Sequence, residues 1–182
     1  MTDASRVLVA LRVPVPAARA FAAFTEQIAE WWQPHGLFQF TDGRTGTLAF
    51  EPGPGGRLVE TYPDGSSFVV GHIRAWDPPR RLIVSWRHAS FAPDQETELH
   101  VRFDDLEDAA GAVAQTRVIV EHFGWDTIPP EHAARHGCLH ESGAGARQGG
   151  GPPVGYLGLR VRAVRNAHRA KDLRDWRDGV GR

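Results

Sequence analysis

TRVIVEHFGW, residues 116–125, is a run of β-branched residues that ends in two polar side chains and an aromatic pair. Such a run reads as a strand. Strand alternation puts Thr116, Val118, Val120 and His122 on one face, and Arg117, Ile119, Glu121 and Phe123 on the other. Glu121 and His122 are therefore sent to opposite sides and do not form an acid–base dyad within the strand. Both faces mix polar and apolar residues, so alternation alone does not say which one is inward. If the first face lines a groove, His122 sits at its rim as a proton carrier or hydrogen-bond donor. The plainer reading is a strand terminus bonded to a loop carbonyl.

Working outward, SRVLVALRV (5–13) is a first strand that ends at Pro14. The period then changes. Ala17, Phe21, Phe24 and Ile28 recur at helical spacing, Pro16 suits a first helical turn, and the helix stops near Trp32, before Pro34. From 47 onward the period is mostly two. Strands are expected at 47–52, 57–62, 67–76, 82–88, 96–103 and 115–123, joined by turns such as GPGG (53–56) and PDG (63–65), with DDLEDAAGA (104–112) as a loop. A strand and helix followed by about six short strands describe an α+β domain built on one curved antiparallel sheet of about seven strands. Residues 143–155 are glycine-rich without period and read as a linker. Residues 157–177 regain helical spacing in a basic setting.

The composition narrows the function. The chain has 182 residues, 41% of them hydrophobic, enough for one core. Its formal net charge of −1 gives no sign of nucleic-acid or anionic-membrane binding. One cysteine, Cys138, forbids an internal disulfide and fits a reducing cytoplasm. No signal peptide and no membrane span are read from the sequence. The six tryptophans are the main anomaly, since each calls for a large apolar contact and a partner for its N–H.

Trp31 and Trp32, with Phe38 and Phe40 after them, suit the mouth of a cavity that stacks on a flat ligand. The alternative is that these aromatics staple helix to sheet; that reading is preferred for Trp32, while Trp31 and Phe40 suit either and Trp31 is the expected ligand contact. Glu60, His72 and Arg74 could each place a polar group in a groove, with an inward cross-strand Glu60–Arg74 pair as one arrangement; a solvated cross-strand pair is the favoured one. Trp86 completes the cavity candidates, although core packing is the preferred reading for it and for Trp76. His132, His136 and His140 are spaced by four around Cys138, a zinc-like arrangement that Gly137 and the glycines from 143 weaken. No metal, cofactor or catalytic residue is assigned. EPGPGGR (51–57) lacks the ending of a phosphate loop and joins two strands.

Four segments in register, VPVPAARAFAAFTEQIAEWW, EPGPGGRLVETYPDG, GHIRAWDPPRRLIVSW and TRVIVEHFGWDTIPPEHAARHG, resemble the SRPBCC, or START-like, helix-grip superfamily. The nearest branch is that of bacterial relatives of the C-terminal domain of the heat-shock-chaperone ATPase activator. The match spans about residues 6–137. It implies a curved sheet gripping a C-terminal helix over an apolar cavity. It also implies one of three roles: binding a hydrophobic or aromatic small molecule, docking on a chaperone or client protein, or polyketide cyclase or dehydratase chemistry. Binding without chemistry is the reading adopted, with Trp31, Trp32, Phe38, Phe40, Glu60, His72, Trp86 and His122 as cavity candidates. The chain divides into a domain (1–137), a linker (138–156) and a basic tail (157–182). Glycine and proline at 143–153 are incompatible with the family's closing helix. Either 157–177 supplies that helix after a long loop, or a reading-frame slip has replaced the native tail.

Overall fold

The computed structural model describes residues 7–32, 39–109 and 111–132. Phe38, the zinc-like His136, Cys138 and His140, the linker, the basic tail and the expected closing helix lie outside the described residues.

The chain runs β1 (Val7–Val13), α1 (Ala17–Glu26), α2 (Ile28–Trp31), β2 (Thr47–Phe50), β3 (Arg57–Thr61), β4 (Ser67–Asp77), β5 (Arg81–Trp86), β6 (Thr97–Glu107) and β7 (Val113–Phe123), then a short 3-10 turn, Trp125–Thr127. The strands make one antiparallel sheet in the order β1-β7-β6-β5-β4-β3-β2. The fold is α+β, a curled half-barrel. Consecutive strands from β2 to β7 are joined as hairpins, and β1 returns to pair with the last strand, Val7 opposite His122 and Val13 opposite Thr116.

The helices pack on the inner face of the curl. Ala17, Ala20, Phe21, Phe24 and Ile28 are buried, as their spacing requires. Phe21 and Phe24 meet Phe103 of β6 edge-on, with centroids 5.3 and 5.8 Å apart, and Phe21 also meets Trp76 of β4. No side chain of its own caps the start of α1. Instead Asp105 of β6 accepts the Ala17 N–H at 2.7 Å. A helix leaves its first N–H groups without intrahelical partners, and a carboxylate there also meets the positive end of the helix dipole. Thr116 of β7 donates to the Val15 carbonyl beside it. The entry to α1 is thus held by two neighbouring strands.

This explains one departure from the sequence reading. The expected loop 104–112 shrinks, because Asp104–Glu107 continue β6 and pair with β7. Acidic residues are poor strand formers, but here Asp104 faces outward onto Arg117 at 3.0 Å and Asp105 is occupied by α1. The turn that remains closes with Asp108 N–H on the Ala112 carbonyl and uses Gly111 at positive φ.

Curvature comes from two irregularities that flank the middle of β4. Its register shifts against β3 between Leu58 and Val59, and against β5 between Ile73 and Ala75. Bulges of this kind bend a strand and increase its twist. Between them lies Gly71, where the backbone of β4 comes so close to β5 that a Cβ would run into the Ser85 carbonyl. Gly71→Ala therefore forces a backbone shift inside the sheet. Overpacking of this type costs about 1–3 kcal/mol, so the urea midpoint of the variant should fall correspondingly at unchanged m-value. An unchanged midpoint would mean that β4 and β5 separate freely at this point.

Candidate functional site

Pairing with β1 on one side and β6 on the other fixes β7 in the sheet, and burial identifies its inner face. Thr116, Val118, Val120 and His122 are inside. His122, 3% exposed, is enclosed by rings, with Trp86 at 6.0 Å and Trp125 at 4.7 Å between centroids. Its Nε2 lies 2.7 Å from Thr97 Oγ1, and Thr97 donates its own proton to the Trp86 carbonyl at 3.0 Å. Since the hydroxyl proton is committed, Oγ1 accepts and His122 carries its proton on Nε2. Desolvation pushes the His122 pKa down to about 3, so the ring is neutral at physiological pH. It joins β5, β6 and β7 through a hydrogen-bonded chain.

Glu60 of β3 is also inside, 1% exposed. Its Oε1 accepts the Gly46 N–H at 2.9 Å and its Oε2 accepts the Tyr62 hydroxyl at 2.8 Å. That hydroxyl has one proton to give, so its 2.7 Å contact to Thr41 is one in which Thr41 donates. The carboxylate ties the 41–46 segment to β3. Arg74, the partner of the less favoured inward arrangement, is elsewhere: it is exposed and pairs with Glu96 at 2.9 Å. His72 is exposed on the outer face as well. The bulge in β4 separates these residues from Glu60, because the extra residue changes the parity on which a cross-strand Glu60–Arg74 arrangement depends. His72 and Arg74 are thereby removed from the groove. Arg57, likewise outward, is bound by Glu51 through two contacts of 2.6 and 2.7 Å.

The aromatic candidates separate into two kinds. Trp31 is a core residue, 4% exposed, with its N–H given to the Phe24 carbonyl at 3.2 Å and its ring 5.0 Å from that of Phe24. Phe40 is buried too, stacked on Trp32 at 5.5 Å and 16° and set edge-on to Trp86 at 5.1 Å. Trp32 and Trp86 keep partial exposure and meet each other at 5.3 Å. Phe50, Phe68 and Trp76 are partly buried against the same core. The indole N–H of Trp32 is buried without a hydrogen-bond partner among the described residues, as is that of Trp125.

A further set of residues joins His132, which the sequence singles out only through its spacing with His136 and His140, to His88 and Ser90, which no motif marks. Ser90 Oγ lies 2.6 Å from His88 Nδ1 and 2.7 Å from His132 Nε2. Asp42 Oδ1 approaches His88 Nε2 at 3.8 Å. These residues come from three separate segments, which is why spacing could not unite them. No three His, Cys, Asp or Glu residues among those described are arranged to hold a metal ion, and no helix among them is long and apolar enough to cross a membrane.

Residues 14–147 match the family model described as Activator of Hsp90 ATPase homolog 1-like protein. Among solved structures the chain is similar to CalC, a self-sacrificing resistance protein from Micromonospora echinospora, at 24% identity and TM-score 0.58, over 92% of this chain and 96% of that one. It is also similar to protein MLL2253 from Mesorhizobium loti, at 17% identity and TM-score 0.55, over 92% and 99% of the two chains. A third likeness is to DynU16, from the dynemicin biosynthetic locus, at 18% identity and TM-score 0.56, over 91% of this chain and 48% of that one. At these identities the likenesses show the fold. No curated protein matches the chain significantly.

The buried imidazole makes stability depend on pH in a stated direction. Unfolded, His122 takes up a proton below about pH 6.5; folded, it resists protonation until about pH 3. Between these values the unfolded chain binds more protons, so stability falls as pH falls through that window, by on the order of a few kcal/mol in total. In His122→Leu that dependence should be absent, while Thr97 keeps its bond to the Trp86 carbonyl. Urea titrations at pH 7 and pH 4.5 measure it. Equal losses in the two proteins would show that His122 is accessible to protons in the folded state.

Proposed function

Because the chain belongs to the family of Activator of Hsp90 ATPase homolog 1-like proteins, we propose that its inner sheet face serves as a binding surface for a flat, largely hydrophobic small molecule, without chemistry of its own at that surface. One observation carries this reading. The buried polar side chains of the described residues, Thr25, Glu60, Ser85, Thr97, Thr116 and His122, each have a protein hydrogen-bond partner, whereas Trp32, Trp76 and Trp86 keep partly exposed rings. A cyclase or dehydratase needs several polar groups converging on the reacting atoms with protons to give or take. Here those groups are engaged in hydrogen bonds within α1, between strands, and from strands to the segments beside them. A binding pocket needs aromatic walls and few, well-placed polar atoms.

The unpartnered Trp32 N–H supplies such an atom. A buried donor without an acceptor costs about 1–3 kcal/mol, and a ligand carbonyl beside the Trp32 edge would recover that cost. The preferred ligand is therefore planar and carries an acceptor. Of the two adjacent indoles, Trp32 takes this role, since Trp31 has already given its N–H to Phe24. Glu60 and His122 shape the wall as fixed neutral or internally bonded groups.

Two probes test this, 9-fluorenone and fluorene, which differ in one carbonyl. Intrinsic tryptophan fluorescence reports binding of either. Trp32→Phe keeps an aromatic ring and removes the N–H. It should weaken fluorenone by roughly tenfold, the value of about one hydrogen bond, and leave fluorene unchanged. Trp32→Ala should weaken both. Failure of the wild-type chain to bind either probe at their solubility limits would overturn the reading. It would favour instead a surface that docks a protein, as the family's description as a chaperone-ATPase activator suggests.

A further inference from the structure

At the end of the sheet where β5 leaves for β6, the geometry points to a second site: we propose that Ser90 is an activated nucleophile, with His88 as its base and His132 as a donor beside it, able to take an acyl group from a small activated ester. The site is separate from the aromatic face and does not rest on ligand binding there.

The hydrogen bonding assigns the protons. The Ser90 backbone N–H donates to His88 Nδ1 at 3.2 Å, so Nδ1 holds a lone pair and the ring's proton is on Nε2. The Ser90 hydroxyl, 2.6 Å from the same Nδ1, therefore gives its proton to it. The other side of the imidazole is oriented by a main-chain hydrogen bond to Gln39 and faces the Asp42 carboxylate at 3.8 Å. A nucleophile bonded to a base, and a base oriented by a third group, is the arrangement that activates a hydroxyl. On the far side of Oγ, at 2.7 Å, His132 Nε2 donates, because the hydroxyl proton is already committed.

The surroundings favour a working base. Burial lowers the pKa of His88, its neighbour His132 lowers it further, and Gln39 and Asp42 draw it partly back. The ring is thus unprotonated at neutral pH, as a general base must be. Ser90 itself is exposed and open to a substrate. The loop carrying it is held from several sides. Ala89 N–H bonds the Phe40 carbonyl at 2.7 Å, Arg87 Nη2 reaches the Phe91 carbonyl, Gln95 bridges Ala92 and Thr127, and Phe91 is buried with Val7, Trp125 and Ile128. His132 is positioned by its own N–H on the Pro129 carbonyl and by its ring meeting Phe91 at 5.0 Å. Positioning of this kind is a large part of what an enzyme contributes.

The step balances with these groups alone. Ser90 Oγ attacks the ester carbonyl carbon while its proton passes to His88 Nδ1, and the carbonyl pair moves onto oxygen. The His132 N–H, already beside Oγ, turns to that oxyanion. Collapse restores the carbonyl and expels the alkoxide, which takes the proton from His88. Water then attacks the acyl carbon, gives its proton to His88, and releases the acid as Ser90 regains its hydrogen. The backbone N–H groups of Ala89, Ser90, Phe91 and Ala92 are already bonded within the protein, so the oxyanion has one side-chain donor. Loss of a single oxyanion donor costs about 10²–10³ in rate in enzymes that have a full set, so a slow esterase is expected.

Two measurements decide it, both on the full chain. Turnover of p-nitrophenyl acetate by the wild type should exceed that by Ser90→Ala at least about tenfold, and His88→Gln should fall to the Ser90→Ala level, in line with the contribution of a general base. Independently, Ser90→Cys should be alkylated by iodoacetamide at pH 6.5 at least about tenfold faster than the Ser90→Cys/His88→Gln double variant, since a neighbouring imidazole raises the thiolate fraction. Adducts are located by mass spectrometry against Cys138, the chain's one native thiol. Equal hydrolysis by wild type and Ser90→Ala, or equal alkylation with and without His88, overturns the proposal and leaves the three residues as a structural clasp.

Discussion

The rest of the structure depends on the pairing of β7 on both of its edges. A strand bonded on one side can slip by a residue and exchange its two faces; one bonded to β1 and β6 at once cannot do so without breaking both ladders. That constraint commits Thr116, Val118, Val120 and His122 to the interior together. From it follow the enclosure of His122 by Trp86 and Trp125, the bond from Thr116 to the start of α1, and the position of the Trp32–Phe40–Trp86 stack above the same floor.

The interior is apolar in bulk but carries polar stitches where elements of different direction meet. Asp105 holds the start of α1, Glu60 holds the 41–46 segment, Thr97 and His122 hold β5 to β7, and Ser85 accepts the His72 N–H where β4 is bent. Each satisfies a backbone or ring N–H that would otherwise be buried unpaired, a costlier outcome than the net gain of an ordinary hydrogen bond. The groups that could move protons there already support the fold. The His88–Ser90–His132 set stands at the sheet's end, partly open to solvent, where a bonded hydroxyl remains reachable.

The sheet, its near-seven-strand count and the first helix were legible because each rests on local periodicity: β-branched alternation in TRVIVEHF, the Ala17–Phe21–Phe24–Ile28 stripe, glycine at the turns. The inward orientation of β7 was not legible, since both of its faces mix polar and apolar residues and only long-range pairing chooses between them. His72 and Arg74 were misplaced for a related reason. A bulge adds one residue and reverses parity, and nothing in SFVVGHIRAW announces it apart from Gly71, whose need for space against Ser85 is a tertiary fact. The composition of Asp104–Glu107 suits a loop; Arg117 and the α1 N-terminus, both distant in sequence, make these residues a strand. The expected roles of Trp31 and Trp32 are reversed: Trp31 is the core residue and Trp32 the half-exposed one, because the Phe24 carbonyl accepts the Trp31 N–H, a choice that two identical neighbours in sequence do not reveal.

The placement of β1 has a consequence for how the chain is made. Proteins emerge from the ribosome N-terminus first, and among the described strands β1 comes first in sequence while its pairing partner β7 comes last: Val7 waits for His122. The carboxylate that caps the start of α1 also arrives late, 88 residues after the N–H it will accept. Until β6 and β7 have been synthesised, the newborn chain holds an unpaired Val- and Leu-rich strand and an uncapped helix. Contacts of this sequence separation slow folding. Until then β1 and the start of α1 lack the partners that β7 and β6 supply, so closure of the half-barrel waits for those two strands.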